Sequence, residues 1–149
     1  MNRLQHYATK EWGNWLADFN WTYFGTLTTS YRLTPKSARR LAERFHQMAN
    51  TLAPMRMFWI AESFDMKEGQ HIHALIQIYG NIHKKTLRNI FQKACGKLRN
   101  NSWNRIDLKP YDRKRQGAQY VTKDLKYNST DYDILEPSNN QLIITDNLF

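Results

Sequence analysis

The residues of this chain best suited to metal binding or catalysis are two histidines, one acid and a tyrosine–lysine pair. His71 and His73 lie two residues apart in the stretch 71–78, where apolar residues alternate with others. In an extended strand both imidazoles project from one face, with Cα atoms about 6.5–7 Å apart. Neutral imidazole is the commonest metal ligand in proteins. The spacing therefore predicts a site for one ion, against the alternative of a chance pair among five histidines.

Glu62 is the candidate third ligand. It ends the apolar stretch 55–63, and a short polar loop separates that stretch from the histidines. A loop this short cannot make a parallel crossover, so the two stretches should pair antiparallel, with Glu62 near His71. A carboxylate beside two imidazoles completes a three-ligand site that leaves positions open for water or substrate. Taken alone, Glu62 is better interpreted as a solvated acid at a strand end.

Tyr120 and Lys123 should project together from a helix over residues 116–127. At 100° per residue, the residues of one face anchor this helix, namely Ala118, Val121 and Leu125. Tyr127 shares the face of Tyr120 but lies about 10 Å along the helix axis. We expect Tyr127 to pack or to contact a ligand.

The elements that must position these residues follow from hydrophobic periodicity. The chain predicts helices over 9–19, from Thr34-Pro35 to Pro54, over 84–98 and over 116–127, and strands over 21–28, 55–63, 71–78 and 103–112. Gly96 is a possible early end of the third helix, and Cys95 is read as a small core residue.

Composition predicts one folded domain with a polyanionic partner. Hydrophobic residues make up 41% of the 149 residues, enough for a core. All 22 Lys and Arg residues and only nine of the 13 Asp and Glu residues lie in residues 1–127. With 13% aromatic residues, this charge favours nucleic acid over a membrane surface as the partner. A single cysteine excludes an intramolecular disulfide and fits a reducing compartment, and we expect neither a signal peptide nor a transmembrane span.

Three motifs in this order resemble those of the HUH endonucleases, specifically the replication-initiator (Rep) branch. Residues 24–29 (FGTLTT) look like the first motif of that family. His71-Ile72-His73, with Glu62 nine residues upstream, resembles its metal motif, and Tyr120-Val121-Thr122-Lys123 resembles its nucleophile motif. Relaxases of the same superfamily carry the tyrosine before the histidines, whereas here it follows them.

The resemblance implies an α+β fold with an antiparallel sheet of about five strands and helices packed behind it. The core would be the βαββαβ arrangement shared with ferredoxin-like and RNA-recognition (RRM) domains. Residues 1–127 would form the nicking and joining domain. Residues 128–149 would be an acidic tail, and the sequence leaves open whether that tail docks a strand, for example at residues 142–144, or stays free.

The resemblance also implies a function: metal-dependent, site-specific nicking and joining of single-stranded DNA through a covalent 5′-phosphotyrosine, which initiates rolling-circle replication of a plasmid, phage or virus. Tyr120 would be the nucleophile and Lys123 its catalytic partner. Glu62, His71 and His73 would hold Mn²⁺ or Mg²⁺. Tyr127 is not expected to be a second nucleophile.

The expected partner is a single-stranded replication origin, presented as a hairpin loop, with a separate host helicase and no membrane. The residues expected to contact DNA are Thr28, Lys84, Lys85, Arg113, Lys114 and Arg115. The five basic residues among them should contact phosphates and set affinity rather than sequence choice. The compartment would be the cytoplasm of a bacterial or archaeal host, or the nucleus of a host infected by a eukaryotic virus.

Three alternatives stay open at this point. A non-catalytic RRM-like module would use the same sheet and predicts no role for His71, His73 or Tyr120. A single-tyrosine HUH transposase would use the same metal and tyrosine chemistry, but for transposition instead of replication. A zinc-dependent hydrolase is less favoured because no general-base carboxylate lies at a recognised spacing from the histidines.

Overall fold

A five-stranded antiparallel sheet forms the centre of the molecule, so the predicted α+β class is confirmed. The computed structural model describes residues 3–96, 103–123 and 130–137. Its elements, in chain order, are α1 (Arg3–Ala17), β1 (Tyr23–Thr28), α2 (Pro35–Asn50), β2 (Met55–Ser63), β3 (Gln70–Ile78), α3 (Lys84–Cys95), β4 (Arg105–Pro110), a 3-10 turn (Arg113–Arg115), α4 (Gly117–Val121) and β5 (Tyr132–Leu135). The strand order is β4-β1-β3-β2-β5, which places the histidine strand β3 in the centre.

Helices pack behind the sheet, as expected, and two further helices cover its other face. On the back face, α2 and α3 bury a core that includes Phe45, Trp59 and Phe91. On the opposite face, Leu16 of α1 and Val121 of α4 pack with residues such as Phe58, Ile60 and Leu75. The physical reason is that β2 and β3 carry apolar side chains on this second face too, and those side chains require cover. We call this second face, which also carries Glu62 and the histidines, the site face.

The predicted helix start and the predicted hairpin are both confirmed. The Thr34 hydroxyl accepts from the Ser37 backbone N–H, the Ser37 side chain accepts from the Thr34 N–H, and Pro35 begins the helix. The β2–β3 hairpin is antiparallel in a register that pairs Glu62 with His71. The chain turns at Gly69, whose φ of +104° favours glycine.

Helix α1 lies against α4, and Gly13 makes their close approach possible. A Cβ at Gly13 would be 3.0 Å from Thr122 Oγ1 and 3.2 Å from Gln119 Cα. Helix α4 spans Gly117–Val121, shorter than the predicted 116–127. Ala118 and Val121 are buried as predicted. Leu125 and Tyr127 lie outside the described residues.

The end of the described chain docks as an edge strand. β5 pairs antiparallel with β2 at Tyr132–Leu135, whereas residues 142–144 lie outside the described residues. Arg39 of α2 stabilises the position of this strand. Its guanidinium donates hydrogen bonds to Asp131 at 2.7 and 3.0 Å and to Asp133 at 3.1 Å. α3 ends at Cys95, with Gly96 at a φ of +90° as the early stop. In the described part of the chain, no helix has the length and apolarity to traverse a bilayer.

Candidate metal and tyrosine site

Glu62, His71 and His73 converge at one end of the β2–β3 hairpin. Glu62 Oε2 lies 2.7 Å from His73 Nε2 and 3.5 Å from His71 Nε2. The two Nε2 atoms lie 3.0 Å apart. All three side chains are half-buried or buried, and their donor atoms lie within 4.8 Å of one another. The predicted grouping is thus present in the structure.

The donor set fits a divalent cation. Two ligands at neighbouring octahedral positions, each about 2.1 Å from a Mg²⁺ ion, lie about 3.0 Å apart. The three donor separations of 2.7, 3.0 and 3.5 Å scatter around that value. Two neutral imidazole lone pairs that face each other at 3.0 Å repel unless one carries a proton or a cation lies between them. Mixed nitrogen and oxygen ligands suit ions such as Mn²⁺ and Mg²⁺.

Thr26 supports His73 from the neighbouring strand. Thr26 of β1 lies opposite His73 in the β1–β3 register, and its Oγ1 is 3.3 Å from His73 Nδ1. If Nδ1–H donates to this hydroxyl, the Nε2 lone pair stays directed at Glu62 and His71, which is the tautomer a metal needs. Sequence reasoning placed Thr26 in a motif but gave it no role, because its contact with His73 depends on the β1–β3 register.

Local electrostatics favour an ionised acid and neutral imidazoles. Burial lowers the pKa of His71, and burial together with His71 lowers the pKa of His73 to about 4. Burial acts to raise the pKa of Glu62, but its attraction to His73 and to the Lys123 ammonium lowers that pKa overall. At neutral pH the site therefore holds one carboxylate and two unprotonated imidazoles. These are the protonation states in which all three side chains can bind a cation.

Tyr120 and Lys123 lie beside this cluster. The Tyr120 ring is 5.7 Å from the His73 ring and 6.1 Å from the Phe24 ring, centre to centre. Lys123 Nζ lies 4.0 Å from the centre of the Tyr120 ring and 3.4 Å from Glu62 Oε1. Tyr120 is 47% exposed, so its side chain is accessible from solvent. Burial acts to lower the pKa of Lys123, but its contacts with Tyr120 and Glu62 outweigh burial and raise it.

The structure brings some of the predicted DNA-contacting residues to the site and keeps others away. Arg113, Lys114 and Arg115 form the exposed 3-10 turn that precedes α4. Thr28 lies on the site face at the end of β1. Lys84 and Lys85 begin α3, which packs on the back core, and Lys84 lies over the ring of Tyr23 there. Lys84 and Lys85 are therefore not grouped with the histidines.

Two basic residues that the sequence analysis missed share the site face. β4 buries Ile106 and Leu108 in the back core, so Arg105 and Lys109 project from the opposite face, with Asp107 between them. Their partners in β1 are Thr28 and Phe24. Alternation predicted this strand, but only its pairing with β1 shows that its basic residues join the site.

Comparison with known proteins adds no relative: neither a family model, nor a curated protein, nor a solved structure matches this chain. Functional conclusions for this protein therefore depend on the residues of the site.

Proposed function

We propose that this protein is a metal-dependent enzyme that nicks and rejoins single-stranded DNA through a covalent link to Tyr120. The observation that carries the proposal is the meeting of Tyr120 and Lys123 with Glu62, His71 and His73. Three potential ligands lie within 4.8 Å of one another, and a half-exposed phenol lies next to them. A site that only bound nucleic acid would need neither a ligand cluster nor an adjacent nucleophile.

The basic surface supports a phosphodiester as the substrate. Arg105 and Lys109 lie on the site face, and three further basic residues form the turn before α4. Basic side chains placed around a site attract and position a phosphate backbone. The narrower role, as an initiator of rolling-circle replication, is part of the proposal and is supported by the order of the three sequence motifs.

Each residue of the site has its own role in the cleavage step. Tyr120 Oη attacks the scissile phosphorus, the bond from phosphorus to the 3′ oxygen breaks, and the 5′ phosphate becomes attached to the tyrosine. The phenol releases its proton to solvent, and the departing 3′ oxygen takes up a proton to become a hydroxyl. Lys123, in contact with the phenol ring, stabilises the phenolate by its charge. A divalent ion held by Glu62, His71 and His73 would neutralise phosphate charge and polarise phosphorus.

The same site can reverse the reaction. The phosphotyrosine conserves the phosphodiester linkage, so a 3′ hydroxyl that attacks it restores a DNA strand and releases Tyr120. The half-exposed position of Tyr120 leaves room for such an incoming strand. Nicking and joining therefore require no external energy source.

Incubation with a library of single-stranded oligonucleotides and Mn²⁺, followed by denaturing electrophoresis, tests the proposal. We expect a covalent protein–DNA adduct with the wild type and none with Tyr120→Phe, which keeps the ring and removes only the hydroxyl. His73→Ala should abolish the adduct while it weakens DNA binding only modestly. DNA binding without an adduct, under several divalent ions, would contradict the proposed activity and favour a non-catalytic binding module.

A further inference from the structure

A cavity of about 200 Å³ opens on the site face beside Tyr120. Three aromatic residues contribute to its wall, namely Phe24, Tyr111 and Tyr120. Three charged residues contribute to its wall as well, namely Lys109, Asp112 and Arg115. An apolar interior lined by aromatic rings, with a few charged groups, is the usual composition of a site that binds a small molecule.

Gly117 keeps this cavity open between two aromatic rings. A Cβ at this position would lie 3.0 Å from Phe24 Cδ2 and 3.1 Å from Tyr111 Cε2. Both distances are tighter than ordinary van der Waals contact, so only glycine fits without displacing a ring. The backbone of α4 thus approaches the sheet closely at the cavity, three residues before Tyr120.

We infer that this cavity binds one unstacked nucleobase of the DNA strand, the base of a nucleotide next to the phosphate that Tyr120 attacks. The inference rests on the proposed function for the identity of the strand. The volume is below the roughly 300–1,000 Å³ of pockets that take drug-sized ligands, so it suits a single base. Aromatic side chains bind bases by stacking, which is favourable for every base.

The position of Tyr120 identifies which nucleotide is bound. Tyr120 lines the cavity and also lies next to His73, and Phe24 lies against both rings at 6.1 and 5.9 Å. One side of the Tyr120 ring thus borders the cavity and another borders the ligand cluster. A phosphate joined to Tyr120 is therefore within one nucleotide of the cavity.

Arg115 and Asp112 supply a preference among bases. Arg115 Nε lies 3.7 Å from Asp112 Oδ2, so the two side chains present a donor and an acceptor side by side. Asp112 Oδ1 already accepts from the Lys114 backbone N–H, which fixes the carboxylate. Guanine offers arginine two acceptors, O6 and N7, in the commonest specific contact between proteins and bases. We therefore expect guanine at this position.

Two variants in the same turn can distinguish a direct contact between Arg115 and a base from a general effect of positive charge. Arg115→Gln and Lys114→Gln each remove one positive charge, but only Arg115 lines the cavity. Both side chains are exposed, so neither change should unfold the protein. A nitrogen–proton correlation spectrum of each variant checks the fold before any comparison.

The first measurement uses the four 5′-deoxynucleoside monophosphates and protein in EDTA, with the amide signal of Gly117 as the reporter. We expect a saturable shift of this signal, largest with dGMP, in the wild type and in Lys114→Gln. Arg115→Gln should bind dGMP about fivefold to a hundredfold more weakly. A Gly117 signal unmoved by all four nucleotides would overturn the inference, whether or not DNA is nicked.

The second measurement sequences the oligonucleotides captured as adducts from a random single-stranded library. We expect guanine to be enriched at one position next to the linked phosphate, and this enrichment to disappear in Arg115→Gln alone. Equal losses in both variants would overturn the inference, because Arg115 would then act only as a charge. Nucleotide binding at Gly117 without any adduct would support the cavity and contradict the proposed activity.

Discussion

Lys123 Nζ lies 3.4 Å from Oε1 of Glu62, so one ion pair links the residues after α4 to the end of β2. The other carboxylate oxygen, Oε2, contacts both histidines. Glu62 therefore divides its two oxygens between the candidate metal donors and the lysine. Since Lys123 also contacts the Tyr120 ring, this carboxylate couples the position of Tyr120 to the positions of the two histidines.

Replacing Lys123 by glutamine should slow adduct formation without weakening metal binding. Without the ammonium the phenolate is less stable, and we expect single-turnover adduct formation to fall about tenfold to a hundredfold. Mn²⁺ affinity, measured by calorimetry, should stay equal or rise, because a nearby positive charge is removed. Lys36→Gln, an exposed change at the start of α2, is the control. An unchanged rate in Lys123→Gln would exclude the proposed role of this residue.

Thr26→Val should weaken metal binding although Thr26 is not itself a ligand. The variant keeps the shape of the side chain and removes the oxygen 3.3 Å from His73 Nδ1. Loss of such a supporting contact typically costs about 10- to 100-fold in metal affinity. Thr28→Val, on the same face of the same strand, is the matched control for Mn²⁺ titration. Equal affinity in the two variants would show that His73 needs no support from Thr26.

Much of the site could be predicted because it lies on one hairpin. Alternation in residues 71–78 and the short loop before them fix which residues share a face, and the pairing of Glu62 with His71 follows. A local sequence signal, the N-cap Thr34 followed by Pro35, likewise predicted the start of α2. These features depend on neighbours close in the chain.

Features that depend on distant packing could not be predicted in the same way. Lys84 and Lys85 form a basic pair in the sequence, but the packing of α3 takes them to the back face. The cavity beside Tyr120 combines residues of β1, β4, the 3-10 turn and α4. Periodicity within one element says nothing about which elements meet, so neither the cover of the site face by α1 nor this cavity was foreseen.

Gly13→Ala should destabilise the protein although alanine favours a helix interior. Alanine gains up to about 1 kcal/mol of helix propensity over glycine. Its Cβ would lie 3.0 Å from Thr122 Oγ1 and 3.2 Å from a backbone atom of Gln119. Overpacking of this kind costs about 1–3 kcal/mol, so we expect a net loss in the free energy of unfolding, measured in urea. Asn14→Ala, exposed on the same helix, should instead stabilise slightly. A stabilised Gly13→Ala would mean that α1 and α4 pack less closely.

Because of His46, the free energy of unfolding should decrease in mild acid. Burial lowers its pKa from 6.5, only partly opposed by its hydrogen bond to the Met55 carbonyl and by Glu136. The unfolded chain therefore binds a proton more readily than the folded chain. This contribution to stability is complete above pH 6.5 and is lost as the pH falls below it towards the folded pKa. His46→Gln, which retains an N–H donor, should lose less stability between pH 7 and pH 5 in urea titrations. An identical pH dependence would contradict the assignment.

Mass spectrometry of the DNA-linked peptide tests the central claim most directly. After reaction with single-stranded DNA and Mn²⁺, nuclease and protease digestion should leave a nucleotide phosphate attached through its 5′ end to Tyr120. The link should be absent when EDTA replaces Mn²⁺ or when Tyr120 is replaced by phenylalanine. A nucleotide attached to any other residue, or a nicked strand with no attached peptide, would contradict the account.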